Sequence, residues 1–130
     1  MENLNLAEAF VKLGGKAANR LHSMSAMAAD GAMILSCSKS RFGHPARGVL
    51  RYDDRLSRDS SRPAELQSLG EHLAQARDGK LPIRMIVITE TPVPNGGKPT
   101  RNIHVRKDLV GKVVEFDGDH YVVDFLKVEA

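Results

Sequence analysis

The 130-residue chain has a single cysteine, Cys37, so an internal disulfide is excluded and a reducing compartment fits. No stretch approaches the roughly 20 uninterrupted apolar residues that a membrane-spanning helix needs. The most apolar window, Met24 to Cys37, is broken by Asp30-Gly31. The first residues, Met-Glu-Asn-Leu-Asn, lack the basic-then-apolar order of a secretory leader. The cytoplasm is the expected compartment, with no membrane partner. Internal repeats and low-complexity tracts are absent as well, which excludes a solenoid.

Catalytic and metal-binding signatures are missing too. There is no His-Glu-x-x-His, no paired Cys-x-x-Cys and no calcium-loop spacing. Gly14-Gly15-Lys16 and Gly96-Gly97-Lys98 are fragments of an anion-binding loop, and neither completes the G-x-x-x-x-G-K-[ST] pattern. No helix-turn-helix or RNP aromatic pattern can be read. No catalytic residue, metal ligand or cofactor is assigned.

What remains is globular composition, 42% hydrophobic and 27% charged, at the length of one domain spanning 1–130. Net charge is +3, unevenly spread. Residues 35–63 carry seven Lys/Arg against three Asp, and residues 81–110 carry five against two acids. The last twenty residues reverse the sign, with two Lys against five acids. A basic middle suits an anionic partner.

Asn5 and Glu8 stand at capping-box spacing. Leu6, Phe10, Leu13, Ala17, Leu21, Met24 and Ala28 recur at helical period, so a helical segment is expected over about 5–29, kinked or broken at Gly14-Gly15. The first strand is expected at Ala32–Cys37 and the second at Gly48–Tyr52, forming a hairpin with a basic tip. A second helix should begin near Pro63, capped by Ser60 or Ser61, and stop at Gly79 with Leu66, Leu69, Leu73 and Ala76 inward. Ile83–Thr89 reads as a central strand, Arg101–Arg106 as another, and the C-terminus as a hairpin whose four-residue loop, Asp117–His120, pairs Phe116 with Tyr121 and Val114 with Val123. The fold class is α+β: a mostly antiparallel sheet of five to six strands covered by one or two helices, with sheet and second helix over 32–127. Leu69, Leu73, Ile86, Ile88, Val114 and Phe116 are the expected core.

The loop Lys39-Ser40-Arg41-Phe42-Gly43-His44-Pro45-Ala46-Arg47 surrounds one aromatic ring with three cations and a histidine. Cations pair with phosphates and an exposed ring stacks on a base. Lys39, Arg41, Phe42, His44, Arg47 and Arg51 are therefore the expected nucleic-acid or polyanion site. The bland alternative is a solvated loop whose Phe42 folds into the core. Asp53, Asp54 and Asp59 interleave with Arg55, Arg58 and Arg62, an ordinary mixed-charge surface. Two further functional readings stay open. One is a protein-interaction module, an inhibitor or self-associating subunit, with homodimerisation through the first helix. The other is a small enzyme using Cys37 and His44, weighed against a Cys37 buried as a small hydrophobe. Asp117, Asp119 and His120, with His104, have metal-ligand chemistry, but Asp-Gly-Asp is also a common turn. His22 and His72 fall on the expected helices.

Overall fold

The computed structural model describes residues 4–17, 23–58 and 62–128. The capping box forms: the Asn5 side chain accepts the Glu8 amide at 2.8 Å and the Glu8 carboxylate accepts the Asn5 amide at 3.1 Å. Helix α1 runs Leu6–Lys12 and buries Leu6, Ala9 and Phe10. It does not continue to residue 29. Gly14 adopts φ +93°, a left-handed conformation that leaves the helical path and favours glycine. Farther along the expected helix the chain instead forms a strand, β1 (Ser25–Met27), flanked by Met24 and Ala28 of the apolar stripe and paired with β2. Leu21 and His22 lie outside the described residues.

Six further strands follow: β2 (Met33–Ser38), β3 (Phe42–Ala46), β4 (Val49–Arg55), β5 (Ile83–Thr91), β6 (Thr100–Phe116) and β7 (His120–Lys127). The longer helix α2 spans Pro63–Gly79, with Leu69, Leu73 and Ala76 buried as the periodicity predicts. It ends at Gly79 as expected, and the left-handed cap conformation falls on the next residue, Lys80, at φ 51°. The expected caps, Ser60 and Ser61, lie outside the described residues.

The class is α+β, but the sheet has seven strands rather than five or six, in the order β1-β2-β5-β6-β7-β4-β3. It is mixed, because β2 runs parallel to β5 while the other neighbours are antiparallel. The expected hairpin between 32–37 and 48–52 does not form. A strand apolar on both faces needs cover on both, which a central position provides. So β2 sits between β1 and β5, and β4 pairs instead with β3 and β7. The hairpin is therefore β3–β4, turning at Arg47-Gly48.

Two cores result. Met33, Leu35, Cys37, Ile83, Met85 and Val87 face Tyr52, Tyr121, Val123 and Phe125, closed by Leu69 and Leu73 of α2. On the other face Ile34, Ile86 and Ile103 pack under Leu6, Phe10 and Leu13 of α1. Arg84, the polar residue inside the apolar β5, explains itself here. One guanidinium nitrogen donates to the Leu13 carbonyl at 2.8 Å, at the C-terminal end of α1, and another pairs with Asp30 in the β1–β2 turn.

The sheet is rolled rather than flat. β2 and β4 stand four places apart, about 19 Å on a flat sheet, yet the Ser38 amide donates to the Tyr52 hydroxyl at 3.0 Å. The bend is built into β6. Ile83 pairs with Gly111 but Met85 pairs with Arg106, so the long strand bulges between these points. A Cβ placed on Gly111 would stand 2.6–3.0 Å from three atoms of the Phe125 ring, so that ring lies directly on the glycine backbone.

The C-terminal hairpin pairs Phe116 with Tyr121 as expected. A second bulge, between Val113 and Glu115, shifts the register so that Val123 meets Val113. Val114 is consequently 49% exposed instead of buried. Ile88 and Phe116 are half-buried, not core; the Arg77 guanidinium covers the Phe116 ring at 5.6 Å. Leu69, Leu73 and Ile86 are buried as expected.

Candidate functional site

Rolling the sheet brings the β3–β4 hairpin over the face of β5, β6 and β7 that α2 leaves uncovered. A groove of about 690 Å³ lies between them. β3, β5, β6 and β7 each contribute by alternation, and β4 contributes two successive residues at its start. β5 supplies Met85 and Val87, and β6 supplies their register neighbours Arg106 and His104. β7 supplies Phe125 and Lys127, β4 supplies Val49 and Leu50, and β3 supplies Phe42 and His44. Lys39 arrives from the 3-10 turn Lys39–Arg41.

The lining contains three cations, two histidines and no carboxylate. Lys39 and Lys127 form no ion pair among the described residues, whereas Arg106 is held by Asp108 just outside the groove, at 2.7 and 3.1 Å. Burial lowers the pKa of His104, and the neighbouring charges of Arg106 and Lys39 lower it further. The imidazole is therefore neutral at pH 7. Among the described residues, its Nδ1 is the buried side-chain nitrogen or oxygen left without a hydrogen-bond partner.

Three of the six expected site residues, Lys39, Phe42 and His44, meet in this groove. Phe42 is half-buried, its ring tilted against Tyr52 at 5.1 Å between centroids, so it serves partly as core. Arg41 is turned toward the Asp54 carboxylate, 3.9 Å away. Arg47 is exposed at the hairpin tip. Arg51 points to the opposite face of β4 and makes a bidentate pair with Asp124, at 2.7 and 2.9 Å. It does not belong to the groove. Arg106 and Lys127 were missed by sequence reasoning, and His104 was singled out only for metal-ligand chemistry. The alternation of Arg101–Arg106 places His104 and Arg106 on one face, but only the β5–β6 register shows that face turned toward Phe42.

The mixed-charge run after Arg51 has a structural task. Asp54 is buried and accepts four hydrogen bonds: from Arg58 at 2.6 and 2.8 Å, the Tyr52 hydroxyl at 2.8 Å and the Arg55 amide at 2.8 Å. Burial pushes its pKa up, and these donors outweigh burial, leaving the carboxyl below its usual range. A smaller cleft of about 200 Å³ beside it includes Asp54 and Glu90, so its arginines face compensating acids.

The other candidates resolve into structural roles. Cys37 is fully buried, donates to the Leu35 carbonyl at 3.7 Å, and has its thiol pKa pushed well up by burial. Among the described residues its hydrogen bond runs to that carbonyl rather than to the base a thiol nucleophile needs, and His44 is exposed on β3. Asp117 accepts the Asp119 and His120 amides, and Asp119 receives the Ser57 amide and hydroxyl. His120 pairs with Asp53 at 2.7 Å. Among the described residues no three His, Cys, Asp or Glu side chains are grouped to hold a metal. His72, on α2, accepts from or donates to the Ser25 hydroxyl at 2.7 Å, tying the helix to β1. Among the described residues no helix is long and apolar enough to cross a membrane.

No protein-family model matches the chain, and neither a curated protein nor a solved structure is significantly similar to it.

Proposed function

We propose that this protein is a non-enzymatic binding domain that engages nucleic acid, or a polyanion of like charge, through the β3–β4 hairpin and the groove beneath it. The observation that carries the reading is the lining itself: Lys39, Arg106 and Lys127 with His44 and His104, and no carboxylate. Phosphates close to such a surface release counterions, which makes affinity fall steeply with salt. Arg47, exposed at the tip, extends the positive border, while Arg41 is turned toward Asp54. Arg51, neutralised by Asp124, drops out of the contact set.

Self-association through α1 loses its motive. That helix was expected to bury its apolar stripe against the sheet or a second copy, and Leu6, Ala9, Phe10 and Leu13 are covered by the chain's own sheet. The test of the proposal is a titration with short single- and double-stranded oligonucleotides at two salt concentrations. Lys39→Ala should weaken binding of all sequences alike and lower the salt slope by about one unit. Absence of binding at low salt refutes the proposal, as does an unchanged affinity in a Lys39→Ala, Lys127→Ala double variant.

A further inference from the structure

We infer that the groove seats one unstacked base of a single-stranded nucleic acid, with the flanking phosphates on its rim; this rests on the function proposed above. The groove is amphipathic in a definite order. Its floor is apolar: Phe42, Val49 and Leu50, half-buried, over Met85, Val87 and Phe125, which are buried. The cations Lys39 and Lys127 and the imidazole of His44 carry polar ends and border it. A phosphate placed on the floor would be desolvated against carbon with nothing to replace its water. A flat group with apolar faces fits the floor, and anions on either side of it fit the rim. That is the shape of a nucleotide whose base has left the stack.

A duplex presents the reverse arrangement. Its bases are stacked and paired inside, and only phosphates and groove edges reach a protein surface. It would touch the rim and leave the floor empty. At about 690 Å³ the groove has the size of a small-ligand pocket rather than a flat landing surface. His104 lines the same groove as the register neighbour of Val87, and a partly exposed aromatic ring in the wall is a group on which a base stacks.

The experiment compares four labelled probes of equal length by fluorescence anisotropy: oligothymidylate, oligouridylate, a deoxyribose-phosphate strand lacking bases, and a DNA duplex. A seated base should make the better of the two single strands bind on the order of ten-fold tighter than the base-free strand. It should exceed the duplex as well, and the comparison of thymidylate with uridylate, which differ in the 5-methyl group as well as in the 2′-hydroxyl, tells which of the DNA and RNA strands is preferred. His104→Ala should shrink the gap between based and base-free strands while leaving the salt slope unchanged. Phe42→Ala risks the Tyr52 packing, so the probe series with wild-type protein decides the matter. Equal affinity for the based strand, the base-free strand and the duplex overturns the inference and leaves the proposed polyanion binding intact. Failure of every probe to bind at low salt removes both.

Discussion

Gly111→Ala is the sharpest test of how this sheet is rolled. The added Cβ would stand 2.6, 2.8 and 3.0 Å from three carbons of the Phe125 ring. Gly111 does not have a positive φ, so the backbone itself tolerates alanine and the cost is steric. The ring cannot swing aside cheaply, because Phe125 is fully buried among Met85, Leu109 and Val123. Overpacking a tight core by one methyl costs typically 1–3 kcal/mol, and a clash with three ring atoms belongs at the upper end. For a chain of this size that is a fall in Tm of about 5–12 °C. Chemical denaturation and a thermal melt would measure it. Shortening the ring removes the clash, so Phe125→Leu should cost less in the Gly111→Ala background than in wild type. That coupling is a double-mutant cycle on one contact. The reasoning is refuted if Gly111→Ala lies within 0.5 kcal/mol of wild type, or if the two substitutions are simply additive.

Three other outcomes follow from the same packing. Leu73→Ala, at a fully buried site of α2, should lose about 2–5 kcal/mol in a urea titration. Cys37 in the folded protein should resist a thiol-directed reagent at neutral pH and react only on unfolding, because burial keeps the thiol protonated; rapid labelling of the native state contradicts its placement. His72 and His104 both titrate below the ordinary 6.5, in each case first through burial. The unfolded chain therefore holds more protons than the folded one just below pH 6.5, and stability should decline as pH falls from 7 through that value toward the folded pKa. Denaturation midpoints at pH 7 and 5.5 check this, and His72→Gln should reduce the decline if the sign is right.

Local signals survived folding where their physics is local. The Asn5–Glu8 capping box, the inward stripe Leu69, Leu73, Ala76, the apolar run that became β5 and the Phe116–Tyr121 pairing each depend on neighbours within a turn or hairpin. Lys39, Phe42 and His44 could be suspected as a site from their clustering in the chain. Tertiary structure decided the rest. The helical spacing beyond Gly14 is equally served by an edge strand, and only the presence of β2 selects it. Val114 has the right period for the core, but a bulge between Val113 and Glu115, just before the turn, moves it to solvent, and no pattern in residues 112–116 announces a bulge. Arg51 and His104 exchange importance for the same reason. Whether a polar side chain is paired or left facing a groove depends on which residue stands across the ladder: Asp124 opposite Arg51, Val87 opposite His104. Those pairings join residues 73 and 17 positions apart. Sequence alternation assigns a side chain to one of two faces; only the order and register of the strands determine what that face meets.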